Sequence, residues 1–135
     1  MKTVSFFIPG PPRGKGRPRH TSRGGYHRTY TDAKTKAYER QVKESYEEAG
    51  GQMMTGPLSI TILAEFEIPK SYTKRQKREL PGKPHTHKPD LDNVIKSILD
   101  GLNGAAYEDD STISEIRAGK RYGEEAGVEV TIKEL

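Results

Sequence analysis

The chain contains no cysteine, which excludes disulfides and thiolate metal sites outright. It is also short of apolar residues: 31% are hydrophobic, another 31% are charged, and there are 14 glycines and 9 prolines among 135 residues. That balance implies a lean core and long loops. No apolar run approaches the roughly 18 residues that a membrane helix needs, so no span is expected. The opening stretch MKTVSFFIPG has one lysine and only a short apolar segment, and does not read as a secretory signal; a cytoplasmic protein is expected. There is no GxxxxGK[ST] motif, so no nucleotide cofactor is expected. The glycine-rich GPPRGKGRP is not followed directly by a helix and reads as a basic arm.

What is present argues for one folded domain spanning residues 1–135, long enough to bury roughly two-thirds of its unfolded surface. Residues 3–8 are rich in β-branched and aromatic types and stop at Pro9–Gly10–Pro11–Pro12, the pattern of a strand. A basic loop follows at about 9–30. Thr31 and Asp32 then predict a helix start, with a helix running to about Ala49 and an inner face of Ala33, Ala37, Tyr38, Val42, Tyr46 and Ala49. Leu58, Ile60, Ile62, Ala64 and Phe66 alternate with polar residues, which predicts a half-buried strand over 58–66. A second basic loop occupies about 70–88. Leu91, Val94, Ile95, Ile98, Leu99 and Leu102 form the stripe of a second helix from about Asp90 to Asn103. Two strands, at 112–122 and 128–132, close the chain. The expected fold is α+β: a small mixed sheet with two main helices, in the order β-α-β-α-β-β.

The net charge of +4 conceals an asymmetry. Residues 1–89 hold 18 Lys or Arg against 8 Asp or Glu, whereas residues 90–135 hold 5 against 11. The acidic part includes a dense run, KPDLDNVIKSILDGLNGAAYEDD, with five aspartates and Lys96 near its middle. Positions two apart on a helix point about 200° from each other, so Asp90 and Asp92 can converge only if Asp90 lies just before the helix. Pro89 supports that, because Lys88 is then biased to extended backbone. Asp92 and Lys96 share a face at i and i+4, and Asp100 continues it.

Carboxylates with no sulfur ligand favour Mg²⁺, with Mn²⁺ as a substitute. An EF-hand is excluded, since counting from Asp90 puts Ile95 at the sixth position and Gly101 at the twelfth. Two or three aspartates would leave coordination positions open for a phosphate oxygen and a water, with Lys96 placed to stabilise developing negative charge. Asp109 and Asp110 both offer a third carboxylate. His85 and His87 read as part of a solvated loop, and His20 and His27 as phosphate contacts.

The basic segments supply the second half of the argument. Arg13, Lys15, Arg17 and Arg19 spread charge along one arm; Lys74, Arg75, Lys77 and Arg78 cluster in another, and Lys88 opens the acidic run. Together they make nucleic acid the expected partner, with Tyr26, Tyr30 and Tyr72 available to stack on bases.

The core KPDLDNVIK, the following DGLNG, the EDDSTI ending, the IPGPPRGKGRPR start and the YTDAKTKAYERQV helix together resemble the RusA-type Holliday junction resolvases of phages and prophages. The resemblance spans nearly the whole chain. It implies a Mg²⁺-dependent endodeoxyribonuclease that acts as a homodimer on four-way junction DNA, in recombination and repair. Matched by motif, Asp90, Asp92 and Asp110 are the implied metal ligands and Lys96 the implied catalytic lysine. A non-catalytic nucleic-acid-binding module, and a nuclease for flap, RNA or duplex substrates, are the competing expectations.

Overall fold

The computed structural model describes residues 2–15, 19–21, 28–30 and 33–135. Its element order is β1 (Thr3–Pro9), β2 (Arg19–Thr21), β3 (Arg28–Tyr30), α1 (Ala33–Glu48), β4 (Leu58–Glu67), α2 (Lys74–Glu79), α3 (Leu91–Leu102), β5 (Ile113–Gly123) and β6 (Gly127–Glu134). Four strands make one sheet in the order β1-β6-β4-β5; β4 and β5 run parallel, and β6 pairs antiparallel with both β1 and β4. This is the expected α+β architecture, with a mixed sheet and two long helices on one face. The strand predicted over 58–66 is β4, and its apolar alternation points Leu58, Ile60, Ile62 and Ala64 into the core.

The two basic stretches hold more structure than loops. Arg19–Thr21 pairs antiparallel with Arg28–Tyr30, a small ribbon inside the first arm. Residues 74–79 form α2, started by a capping box in which the Thr73 hydroxyl accepts from Gln76 N–H and the Gln76 side chain returns the bond to Thr73 N–H. The capping box is legible in TKRQ; the surrounding charge density hides it. Residues 82–85 lie along the free side of β5, with Tyr122 N–H donating to the Lys83 carbonyl and His85 N–H to the Lys120 carbonyl.

The inner face of α1 differs from the sequence expectation. Thr35, Tyr38, Val42 and Tyr46 are buried, while Ala33, Ala37 and Ala49 are exposed. Thr35 lies about 60° from Tyr38 around the helix, whereas Ala37 lies about 100° away, so geometry selects the threonine over the alanine. The helix α3 buries Val94, Ile98, Leu99 and Leu102 as expected, and also Ser97 and Gly101. Gly101 is there because a Cβ would come within 2.7 Å of the Val42 Cβ, so only hydrogen lets the two helices approach this closely. Each fully buried Ile, Leu or Val in this core contributes about 1.5–3 kcal/mol. That packing fixes the height and rotation of α3, and therefore the direction of its outer face.

Candidate active site

The outer face of α3 carries Asp92, Lys96 and Asp100, each one turn from the next. Asp90 is the N-cap, with extended backbone at φ −66° and ψ 146°, and its side chain makes no capping hydrogen bond. Its carbonyl does open the helix, accepting from Val94 N–H at 3.1 Å. The structure thus puts Asp90 at the helix entrance, as convergence with Asp92 requires, and leaves its carboxylate without a partner among the described residues. Asp92 is exposed in the first turn, where the helix dipole favours negative charge.

Lys96 is the hub of the site. Its Nζ lies 3.0 Å from Asp100 Oδ1 and 3.3 Å from Asp110 Oδ2. The Asp100 hydrogen bond, followed by the Asp110 contact, raises the Lys96 ammonium above the ordinary lysine range and keeps it charged. Asp110 reaches it from a 3-10 turn, Asp110–Thr112, which leads straight into β5. The neighbouring Asp109 faces a different task. Its carboxylate accepts from Ser111 N–H at 3.1 Å and caps that turn, and the Ser111 bonds hold its carboxyl below the usual range. Of the adjacent pair, only Asp110 therefore meets the lysine.

The first arm is strapped onto the same helix. The Ser97 hydroxyl donates to the Arg13 carbonyl at 2.8 Å, and Lys15 N–H donates to the Asn93 carbonyl at 2.8 Å. A Cβ on Gly14 would stand 3.0 Å from Pro89 and 3.1 Å from Asn93, so the arm passes close to the helix entrance. Lys15, expected from sequence as a DNA contact, directs its ammonium inward, 2.7 Å from Glu39 and 3.0 Å from Asp100. Burial alone would lower its pKa; the two carboxylates outweigh that and raise it. The result is one continuous chain of charge: Glu39, Lys15, Asp100, Lys96, Asp110.

The remaining expected DNA contacts are dispersed. Arg13 is half-buried, and its Nε has no hydrogen-bond partner among the described residues. Lys74, Lys77 and Arg78 lie exposed on α2, where Arg75 pairs with Glu79 at 3.2 Å, and Lys88 is exposed two residues before Asp90. Arg17, His27 and Tyr26 fall outside the described residues, as do the side chains of Arg19, His20 and Tyr30.

Sequence reasoning missed Lys120. From β5 it donates to the His87 carbonyl at 2.7 Å and the Pro89 carbonyl at 2.8 Å, fastening the segment that delivers Asp90. No local signal marks it, because its role depends on the pairing of a distant strand. His85 is also not solvated as expected. It is buried, stacks on Phe66 at 3.8 Å between ring centres, and has its pKa lowered by burial, then by Lys120 and His87.

The donor chemistry fits a hard divalent cation, since Asp90, Asp92 and Asp110 offer oxygen only and Asp90 keeps its carboxylate free of the helix cap. Among the described residues no three Asp, Glu or His side chains are gathered into a metal-binding group. No helix among these residues is long and apolar enough to cross a membrane.

Two comparisons bear on this arrangement. The chain is 34% identical over 140 residues to YqaN of Bacillus subtilis (strain 168), a protein described as uncharacterized, and the match covers all of this chain and 99% of that one. A family model described as Endodeoxyribonuclease RusA matches residues 9–133, which takes in the strapped arm, the whole of α3 and the Asp109–Asp110 turn. A helix entrance whose aspartate does not cap its own helix, a lysine held by a downstream aspartate and a family match over that whole stretch lead to one assignment: the chain belongs to the RusA endodeoxyribonuclease family.

Proposed function

We propose that this protein is a Mg²⁺-dependent, structure-selective endonuclease that resolves four-way (Holliday) junctions by paired phosphodiester hydrolysis in DNA recombination and repair. The observation that carries the reading is the Lys96–Asp110 contact, which brings a cation from α3 against a carboxylate 14 residues downstream. Membership of an endodeoxyribonuclease family supports the substrate class.

Asp90, Asp92 and Asp110 are the residues that would hold Mg²⁺, or Mn²⁺ in its place. Such an ion lowers the pKa of water and draws charge off a phosphoryl oxygen. The chain's own groups do the rest. Lys96, kept protonated by Asp100 and Asp110, neutralises charge that builds on the phosphate oxygens or on the leaving oxygen. Asp100 and Lys15 hold Lys96 in place. Lys74, Lys77, Arg78 and Lys88, with the arm residues Arg13, Arg17 and Arg19, offer cations to the DNA backbone. A C₂ homodimer matches the two-fold symmetry of a junction and sets two such sites on two strands.

The test is a labelled four-way junction incubated with the protein and Mg²⁺, run beside flap, duplex and RNA substrates. Paired nicks that need the metal and favour the junction are expected. Asp92→Asn should keep junction binding while the cutting rate falls by about two orders of magnitude or more. Normal cutting by Asp92→Asn would overturn the assigned site, and binding without any nick would reduce the protein to a binding module.

A further inference from the structure

Beside the helix entrance lies an aromatic cavity of about 330 Å³, lined by Phe66, Tyr72, His85, His87 and Tyr122 with Pro11 at its edge. Its walls are flat and already ordered. Phe66 and His85 stack within 9° of parallel, and His85 meets Tyr122 and His87 edge-on at 5.0 and 5.8 Å. Burial first, and then the neighbouring Tyr72, raise the Tyr122 phenol above the ordinary tyrosine range. His85 is only 9% exposed, yet its Nδ1 has no hydrogen-bond partner among the described residues. An imidazole that is buried, neutral and not fully paired is costly to keep unless something uses it.

The cavity is joined to the catalytic face by covalent chain. Two residues, Lys88 and Pro89, separate His87 from Asp90, so three backbone steps of at most about 11 Å in all join them. Lys120 grips this connection at the His87 and Pro89 carbonyls and lies 5.9 Å from the centre of the Phe66 ring. The charge pattern selects what enters. Glu67 belongs to the lining and opposes a phosphate inside, while Lys88 and Lys120 offer cations on the side of the helix entrance. A flat, uncharged ring with a polar edge, attached to an anionic backbone, satisfies both conditions.

We infer that this cavity is a nucleobase-binding site, taking one unpaired base of the DNA strand whose backbone crosses the Asp90–Lys96 face. The inference rests on the endonuclease reading for its substrate, and it makes the pocket a positioning site: a captured base fixes which phosphate lies over the carboxylates. Stacking on such rings is worth about five- to a hundredfold in affinity per base.

The experiment measures binding of the full-length protein to four-way junctions without divalent metal, so that no strand is cut. A single abasic site is moved through the nucleotides flanking the branch point. One position is expected to weaken wild-type binding by about tenfold. Tyr72→Ala and the exposed His87→Ala should erase the penalty at that position and leave the others unchanged. His85→Phe keeps the stack and the fold but removes both ring nitrogens; it should retain the abasic penalty while losing discrimination between bases there, read as a shift in nick position once Mg²⁺ is restored. If no position carries a penalty, or if the penalty survives both Tyr72→Ala and His87→Ala, the pocket does not hold a base. That result would leave Mg²⁺-dependent nicking intact, whereas junction binding with a clear abasic penalty and no nicking would sink the endonuclease reading alone. Failure to bind DNA at all, or capture of a proline-rich peptide in place of a base, would overturn the pocket assignment as well.

Discussion

At the entrance of α3 the carboxylates of Asp90 and Asp92 are exposed, and Asp90 does not even cap its own helix; two turns later Asp100 spends both oxygens, one on Lys15 and one on Lys96. Both regions are acidic and lie on one helix, so local sequence does not explain the contrast. Their surroundings do. The entrance is held through its backbone by Lys120, which fixes where the aspartates stand without neutralising them. The middle is held through side chains, by an arm that crosses from β1 and by the turn before β5. Fixed position with free charge suits groups that must receive a cation; saturated charge suits groups that must hold another side chain still.

The contrast breaks most sharply at the lysine and its acidic partner. Lys96→Met and Asp110→Asn should each lower the rate of junction cutting by about 10²–10³-fold at unchanged binding, as removal of one electrostatic group at a reacting centre does. Asp109→Asn should stay within a few-fold of wild type, because that carboxylate serves the Ser111 cap. Single-turnover cutting with saturating protein separates these cases. Equal losses for Asp109→Asn and Asp110→Asn would mean that the turn as a whole matters and not the carboxylate that faces Lys96.

Much of this contrast is legible in the amino-acid order. The DLDN spacing with a proline ahead of it predicts Asp90 at the helix entrance, and the alternation over 58–66 predicts β4 and the face it buries. What stays hidden is whatever depends on distant chain. Asp109 and Asp110 are the same residue type side by side; the motif match favours Asp110, but only the 3-10 turn shows which of the two carboxylates faces Lys96. Lys15 is one cation among several in a glycine-rich arm, and nothing local says that it turns inward to Glu39 and Asp100. Gly101 looks like a weak point in a helix until Val42 is found against it. The basic character of residues 74–78 is plain in the sequence but their helical form is not, because α2 is specified by one capping box and not by an apolar stripe.

A second test moves to the saturated side. Lys15→Met leaves Glu39 and Asp100, both largely shielded, without their shared cation. It should cost about 1.5–3 kcal/mol of stability in denaturant titration, the range of hydrogen bonds to charged groups. Cutting should fall by about tenfold through the loosened Asp100–Lys96 pair, with KM nearly unchanged. At the entrance, Asp92→Asn should shift stability by no more than about 0.5 kcal/mol, since no ion pair with a described residue is lost there. If Lys15→Met proved silent and Asp92→Asn destabilising, the division between holding charge and working charge would be inverted.

The smallest effect expected is a pH dependence of stability carried by His85, the buried ring behind the entrance. Its folded pKa lies below the ordinary 6.5, first because burial disfavours the charged ring and then because Lys120 and His87 repel a proton. Between the folded and unfolded values the unfolded chain binds more protons, so stability rises with pH across that window. The neutral ring's contribution is therefore complete above pH 6.5 and is lost as pH falls through the folded value. His85→Phe preserves the Phe66 stack and removes the titration. The gap in unfolding midpoint between wild type and His85→Phe should thus be constant above pH 7 and change in favour of the variant as the pH drops towards 5, before the carboxylates titrate. A gap that stays flat over this range would mean that the ring accepts its proton without penalty, and that the wall behind the entrance is wetter than its packing implies.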